Sequence, residues 1–154
     1  MPNPHLFEFN GTFELPLTVE ETWDELERTD QYETWWPWMR KLEVVGDPLD
    51  PGTTFSFLIV APIPFTMRLK AEVTRAQPPC KIEAAVSGDL TGKASMTFER
   101  AGSRQVTATI WWEVEVTRSS LRSVARATRP ILLWGQRWAV DIALRGFRRH
   151  LAAA

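Results

Sequence analysis

The 154-residue sequence holds one cysteine, Cys80, and two histidines, His5 and His150. A lone cysteine cannot form an intramolecular disulfide, which excludes a bridged, secreted scaffold. His5, Cys80 and His150 are scattered along the chain with no two at ligand spacing, so no metal site is expected. No Ser, His and Asp string resembles a nucleophile motif. The run Gly88-Asp89-Leu90-Thr91-Gly92 lacks the Lys-Ser/Thr ending of a phosphate loop and reads as a hairpin turn. No cofactor is therefore expected. Long apolar runs are also missing. The longest, Phe57 to Ala61, falls far short of the about 20 residues that span a bilayer. The opening Met1-Pro2-Asn3-Pro4-His5 lacks the basic-then-apolar pattern of a signal peptide. The expectation is a soluble, cytoplasmic protein without integral membrane association. No repeat, low-complexity tract or linker appears, so residues 1–154 are expected to form a single domain.

Tyrosine is scarce where the other rings are abundant: one Tyr, Tyr32, against eight Trp and eight Phe. That much apolar area must be hidden in a core, a cavity or an interface. The net charge of −1 suggests no nucleic-acid partner, yet the charges are unevenly spread. Residues 1–50 carry twelve Asp or Glu against three Lys or Arg, whereas residues 117–154 carry eight Arg against Asp141 alone. The two ends are expected to pack near one another. Arg118, Arg122, Arg126 and Arg129 read as a solvated, acid-paired series, the alternative being a docking face for an anionic surface or a partner.

Period-two alternation puts Phe7, Phe9, Gly11, Phe13 and Leu15 on one side of an N-terminal strand. Thr18-Val19-Glu20-Glu21 is a capping box, opening a short helix with Trp23 and Leu26 on its apolar stripe. A second short helix over Gln31 to Trp35 is stopped by Pro37. From Leu42 to Val116 the chain reads as strand, turn, strand. Phe55, Phe57 and Ile59 share a parity, as do Met67, Leu69, Ala71 and Val73, then Ile82, Ala84 and Val86. Ala94, Met96 and Phe98 follow, and finally Val106, Ala108, Ile110, Trp112, Val114 and Val116. Charged and hydroxyl side chains fill the opposite parities, the pattern of an antiparallel sheet with one dry and one wet face. Cys80 falls on a dry parity and is expected to be buried, while Trp111 falls on a wet one.

The last third changes period. Ser119 to Thr128 is a candidate helix start, and a long helix is expected over Ile131 to Leu151 with Pro130 in its first turn. Arg137, Asp141, Arg145 and Arg148 share a polar arc, and the apolar arc is wide enough for a curved sheet to embrace. One strand, two short helices, about six antiparallel strands and a long C-terminal helix make an α+β protein. A bent sheet gripping such a helix leaves room for a cavity between them.

This order resembles the START-like or Bet v 1-like (SRPBCC) superfamily, and within it the bacterial polyketide cyclase/dehydrase and lipid-transport branch. The resemblance is carried by Val19-Glu20-Glu21-Thr22-Trp23-Asp24-Glu25-Leu26, Tyr32-Glu33-Thr34-Trp35-Trp36-Pro37, Pro51-Gly52-Thr53, Pro78-Pro79 and Trp134-Gly135-Gln136-Arg137-Trp138 before Gly146-Phe147. It implies a helix-grip fold: a seven-stranded curved antiparallel sheet wrapped around a long C-terminal helix, with an apolar ligand cavity. It carries over no catalytic residue.

The cavity is expected to be lined by Tyr32, Trp35, Trp36, Phe55, Phe57, Met67, Leu69, Ile82, Ala84, Met96, Phe98, Ile110, Trp112, Gln136, Trp138 and Ile142. In the cluster Trp35-Trp36-Pro37-Trp38 at least one ring is expected at the lid and one as an anchor. Trp134 and Trp138 either line the cavity or fill the gap at the helix start. The candidates for an inward polar group are Tyr32, Arg40, Arg68 and Gln136, with Arg68 on a wet parity and Gln136 inside the apolar arc. The expected function is binding of a hydrophobic small molecule, a lipid or a polyketide-like compound. The alternative is a polyketide cyclase or dehydratase that uses Tyr32, Arg40 or Gln136 to polarise carbonyls of a ketone-rich chain.

Overall fold

The computed structural model describes residues 5–60, 66–117 and 119–153. Strand β1 (Leu6–Leu15) leads into α1 (Val19–Leu26), a single 3-10 turn (Thr29–Gln31) and α2 (Tyr32–Trp35). Six strands follow: β2 (Met39–Val45), β3 (Thr54–Val60), β4 (Thr66–Gln77), β5 (Lys81–Gly88), β6 (Leu90–Gly102) and β7 (Gln105–Val116). Helix α3 (Ser119–Ala153) ends the chain.

All seven strands form one antiparallel sheet in the order β1-β7-β6-β5-β4-β3-β2. Register shifts between Arg40 and Glu43, Val73 and Arg75, and Arg100 and Gly102 mark bulges, which bend the strands and sharpen their twist. The curved sheet and the long helix make the helix-grip architecture. Between β5 and β6 the chain turns on Gly88 at φ +108°, and an added Cβ there would lie 2.4 Å from the Arg68 carbonyl oxygen.

The capping box is complete. Thr18 Oγ1 accepts from Glu21 N at 3.1 Å, and Glu21 Oε1 accepts from Thr18 N at 3.0 Å. Together they fix where α1 begins. Its buried stripe, Thr22, Trp23 and Leu26, joins a core containing Leu15, Tyr32, Trp35, Met39, Val106 and Phe147. A smaller cluster gathers Phe7, Val114 and Val116.

Three expectations are corrected. Helix α3 does not begin at Pro130 but runs through it from Ser119. Proline removes one ladder bond, and the turn beside it is tied to β1. Arg129 Nη1 donates to the Leu6 carbonyl at 3.0 Å, and its guanidinium lies 4.7 Å from the Phe7 ring centroid. Arg129 is thus not a solvated member of an arginine row; Arg118 and the side chains of Arg122 and Arg126 lie outside the described residues. Cys80 is exposed, because it closes the turn before β5, where strand parity does not yet apply. Among the described residues the acidic beginning and basic end meet where His150 Nε2 lies 2.9 Å from Glu25 Oε2 and where Arg148 Nη2 donates to the Glu14 carbonyl at 3.2 Å. Among the described residues no helix is long and apolar enough to cross a membrane.

Candidate functional site

The dry face of the sheet and the inward side of α3 form a half-open cavity of about 470 Å³. Strands β3 to β7 supply Phe57, Met67, Leu69, Ile82, Ala84, Met96, Phe98, Ile110 and Trp112 to its wall, and α2 with the segment after it supplies Trp36 and Trp38. Helix α3 contributes Gln136, Ala139, Val140, Ala143, Leu144 and Phe147. This spacing of three and four residues is one continuous helical face. Among the described residues no charged side chain lines the cavity.

Of the residues expected to line it, Tyr32, Trp35, Phe55, Trp138 and Ile142 do not. Tyr32 is buried in the core, its hydroxyl donating to the Leu26 carbonyl and its ring stacked on Phe55. Burial, followed by the nearby charge of Glu27, raises the phenol's pKa well above its ordinary value. The sole tyrosine is therefore a neutral core group. Trp35, 1% exposed, packs edge-on against Phe147 with ring centroids 5.1 Å apart and also meets His150. It is the anchor of the Trp cluster. Trp36 and Trp38, stacked 6.1 Å apart, are the members that reach the cavity, and Trp36 Nε1 donates to the Ala143 carbonyl at 3.2 Å. Trp138 and Ile142 lie on the flank of α3, off the face that runs from Gln136 to Phe147. Trp134 neither lines nor fills: it is 52% exposed. Trp111, on the wet face opposite Asn10 and Ser95, is half-buried.

Among the inward polar candidates, Arg40 and Arg68 are exposed and Gln136 alone reaches the cavity. Its Oε1 accepts from Trp112 Nε1 at 2.9 Å, and the Trp112 ring stacks on Phe9 at 4.5 Å. Thr22 also touches the cavity, but its hydroxyl donates to the Thr18 carbonyl at 2.9 Å. Among the described residues no cluster of His, Cys, Asp and Glu could hold a metal ion.

The sequence reading missed two groups of lining residues. Phe7, Phe13 and Leu15 stand on the dry parity of β1 and were available from its alternation. Ala139, Val140 and Ala143 lie within an apolar arc too wide to show which side faces inward, and nothing in the string marked Trp38 over Trp35.

No family model matches this sequence, and no curated protein matches it. Solved structures do. A conserved protein from Geobacillus kaustophilus is 18% identical, with a TM-score of 0.78 over 96% of each chain. A START superfamily protein from Mycobacterium smegmatis is 13% identical, with a TM-score of 0.68 over 94% of this chain and 98% of that one. The di-domain ARO/CYC BexL is 14% identical, with a TM-score of 0.72 over 96% of this chain and 50% of its own length. The fold is the START-like helix-grip fold.

Proposed function

We propose that this START-like chain binds a neutral hydrophobic small molecule, lipid-like or polyketide-like, in the cavity between sheet and α3, acting in the cytoplasm. One observation carries the reading: a cavity of about 470 Å³ whose wall, among the described residues, is apolar apart from Gln136, Ser95 and Thr22, the last with its hydroxyl engaged. Small-molecule sites fall in the range of about 300–1,000 Å³ and combine an apolar wall with a few placed polar groups. Water is a poor filling, since a buried water makes about three hydrogen bonds and this wall offers few partners.

The geometry favours holding over transforming. Polarising a ketone-rich chain needs at least two polar side chains converging in the pocket. Tyr32 is committed to the Leu26 carbonyl and Arg40 is exposed, which leaves Gln136 as the one expected candidate among the described lining residues.

Native mass spectrometry of gently purified protein, with titration by a neutral apolar dye, tests the proposal. The expected result is a co-purified adduct, or saturable one-to-one dye binding that apolar molecules displace. Absence of both overturns it.

A further inference from the structure

We infer that Gln136 is a fixed hydrogen-bond donor that selects ligands carrying one neutral acceptor oxygen, such as a ketone or an ester, on an otherwise apolar body. The inference rests on the proposed use of the cavity as a ligand site.

An indole nitrogen is donor only, so the Gln136 atom facing Trp112 Nε1 at 2.9 Å must be the amide oxygen. That bond settles which way the amide points. Trp112 is itself held by stacking on Phe9, so the orientation is built in before anything binds. The Nε2 group is left with two N–H donors and no partner among the described residues, on a side chain that lines the cavity. The Thr22 proton is spent on the Thr18 carbonyl.

Gln136 Nε2 therefore presents N–H groups to the cavity for which an acceptor oxygen on a ligand is the partner. A ligand that fills the cavity strips water from the Gln136 N–H groups, and an acceptor oxygen on that ligand removes the cost of leaving them unpaired. An ionised carboxylate would enter a wall that holds no cation among the described residues. A plain hydrocarbon would fit the wall but leave the amide unpaired. The amide thus favours a neutral ketone or ester over the acid and the alkane of equal length.

The test compares a long-chain methyl ketone, the alkane and the fatty acid of the same carbon count by dye displacement at pH 8. The wild-type protein is expected to bind the ketone about fivefold more tightly than the alkane, the scale of one net hydrogen bond, and the acid least. Gln136→Leu should erase the ketone preference while retaining alkane binding. Gln136→Met, which keeps the length of the side chain but removes the donor, should erase it as well and covers the case in which the leucine variant does not fold. Equal binding of ketone and alkane by the wild type, or a preference that survives both variants, overturns the inference alone. Failure of every probe to bind overturns the ligand-site reading and the inference with it.

Discussion

Gly146 of α3 lies directly against the carbonyl of Trp35, so close that a β-carbon on the glycine would stand 1.8 Å from that oxygen. This contact sets the distance between α2 and α3, and with it the position of the Trp36 indole beside the Ala143 carbonyl. Alanine in a helix interior is ordinarily favoured over glycine by about 1 kcal/mol. Here the order reverses. Gly146→Ala is expected to lose about 1–3 kcal/mol through overpacking, read as a lowered urea midpoint with circular dichroism.

The capping box makes the start of α1 sensitive to acid. Glu21 is held below the usual carboxylate range, chiefly because it accepts the Thr18 backbone N–H, then through the Thr18 side chain, with the charge of Arg104 adding to both. A carboxyl with a lowered folded-state pKa contributes stability above its unfolded value and loses that contribution as pH falls through the folded one. The stability difference between wild type and Glu21→Gln should therefore shrink towards zero as pH drops from 7 through the carboxylate range. Thr18→Ala should cost about 1 kcal/mol at neutral pH. Urea melts at stepped pH check both.

Tyr32 sets the alkaline limit. Its folded-state pKa is raised, so its contribution is whole below the ordinary phenol value of about 10 and is lost as pH climbs above it. As the only tyrosine, it makes phenolate absorbance a site-specific signal. Phenolate should appear together with unfolding and not at the pH of free tyrosine. Tyr32→Phe loses the hydrogen bond to the Leu26 carbonyl, at a cost of about 1 kcal/mol near neutrality, and should remove the alkaline loss.

Filling the cavity should separate binding from folding. Ala139 lines the void from α3, and leucine there has space to occupy. Ala139→Leu is expected to weaken dye binding at least about tenfold while stability stays within about 1 kcal/mol of wild type. Dye titration and urea melts on the same preparation read the two effects.

Much of this was legible where local chemistry is decisive. The alternation from Val106 to Val116 named the dry face of β7, and Thr18 with Glu21 marked the start of α1. The seven-stranded helix-grip architecture followed from the order of elements and from the family resemblance. What stayed hidden depended on contacts between distant segments. Helical periodicity put Trp138 and Ala139 in one broad arc, and only the packing of α3 against β7 and α2 shows that Ala139 faces inward. Tyr32 looked like a ligand's hydroxyl because the string does not show the Leu26 carbonyl beside it. Parity misled at Cys80 because it was extended past the end of a strand into a turn.

The cavity also has a mechanical consequence. The apolar cavity of about 470 Å³ opens to solvent, and the part of it that water leaves unfilled is molar volume that the folded chain carries and the unfolded chain lacks. Hydrostatic pressure favours the smaller state, and volume changes of unfolding run from about −20 to −100 mL/mol in step with internal void. The empty protein should therefore yield to compression well before a solidly packed domain of equal length, and an occupant that fills the void should make it resist.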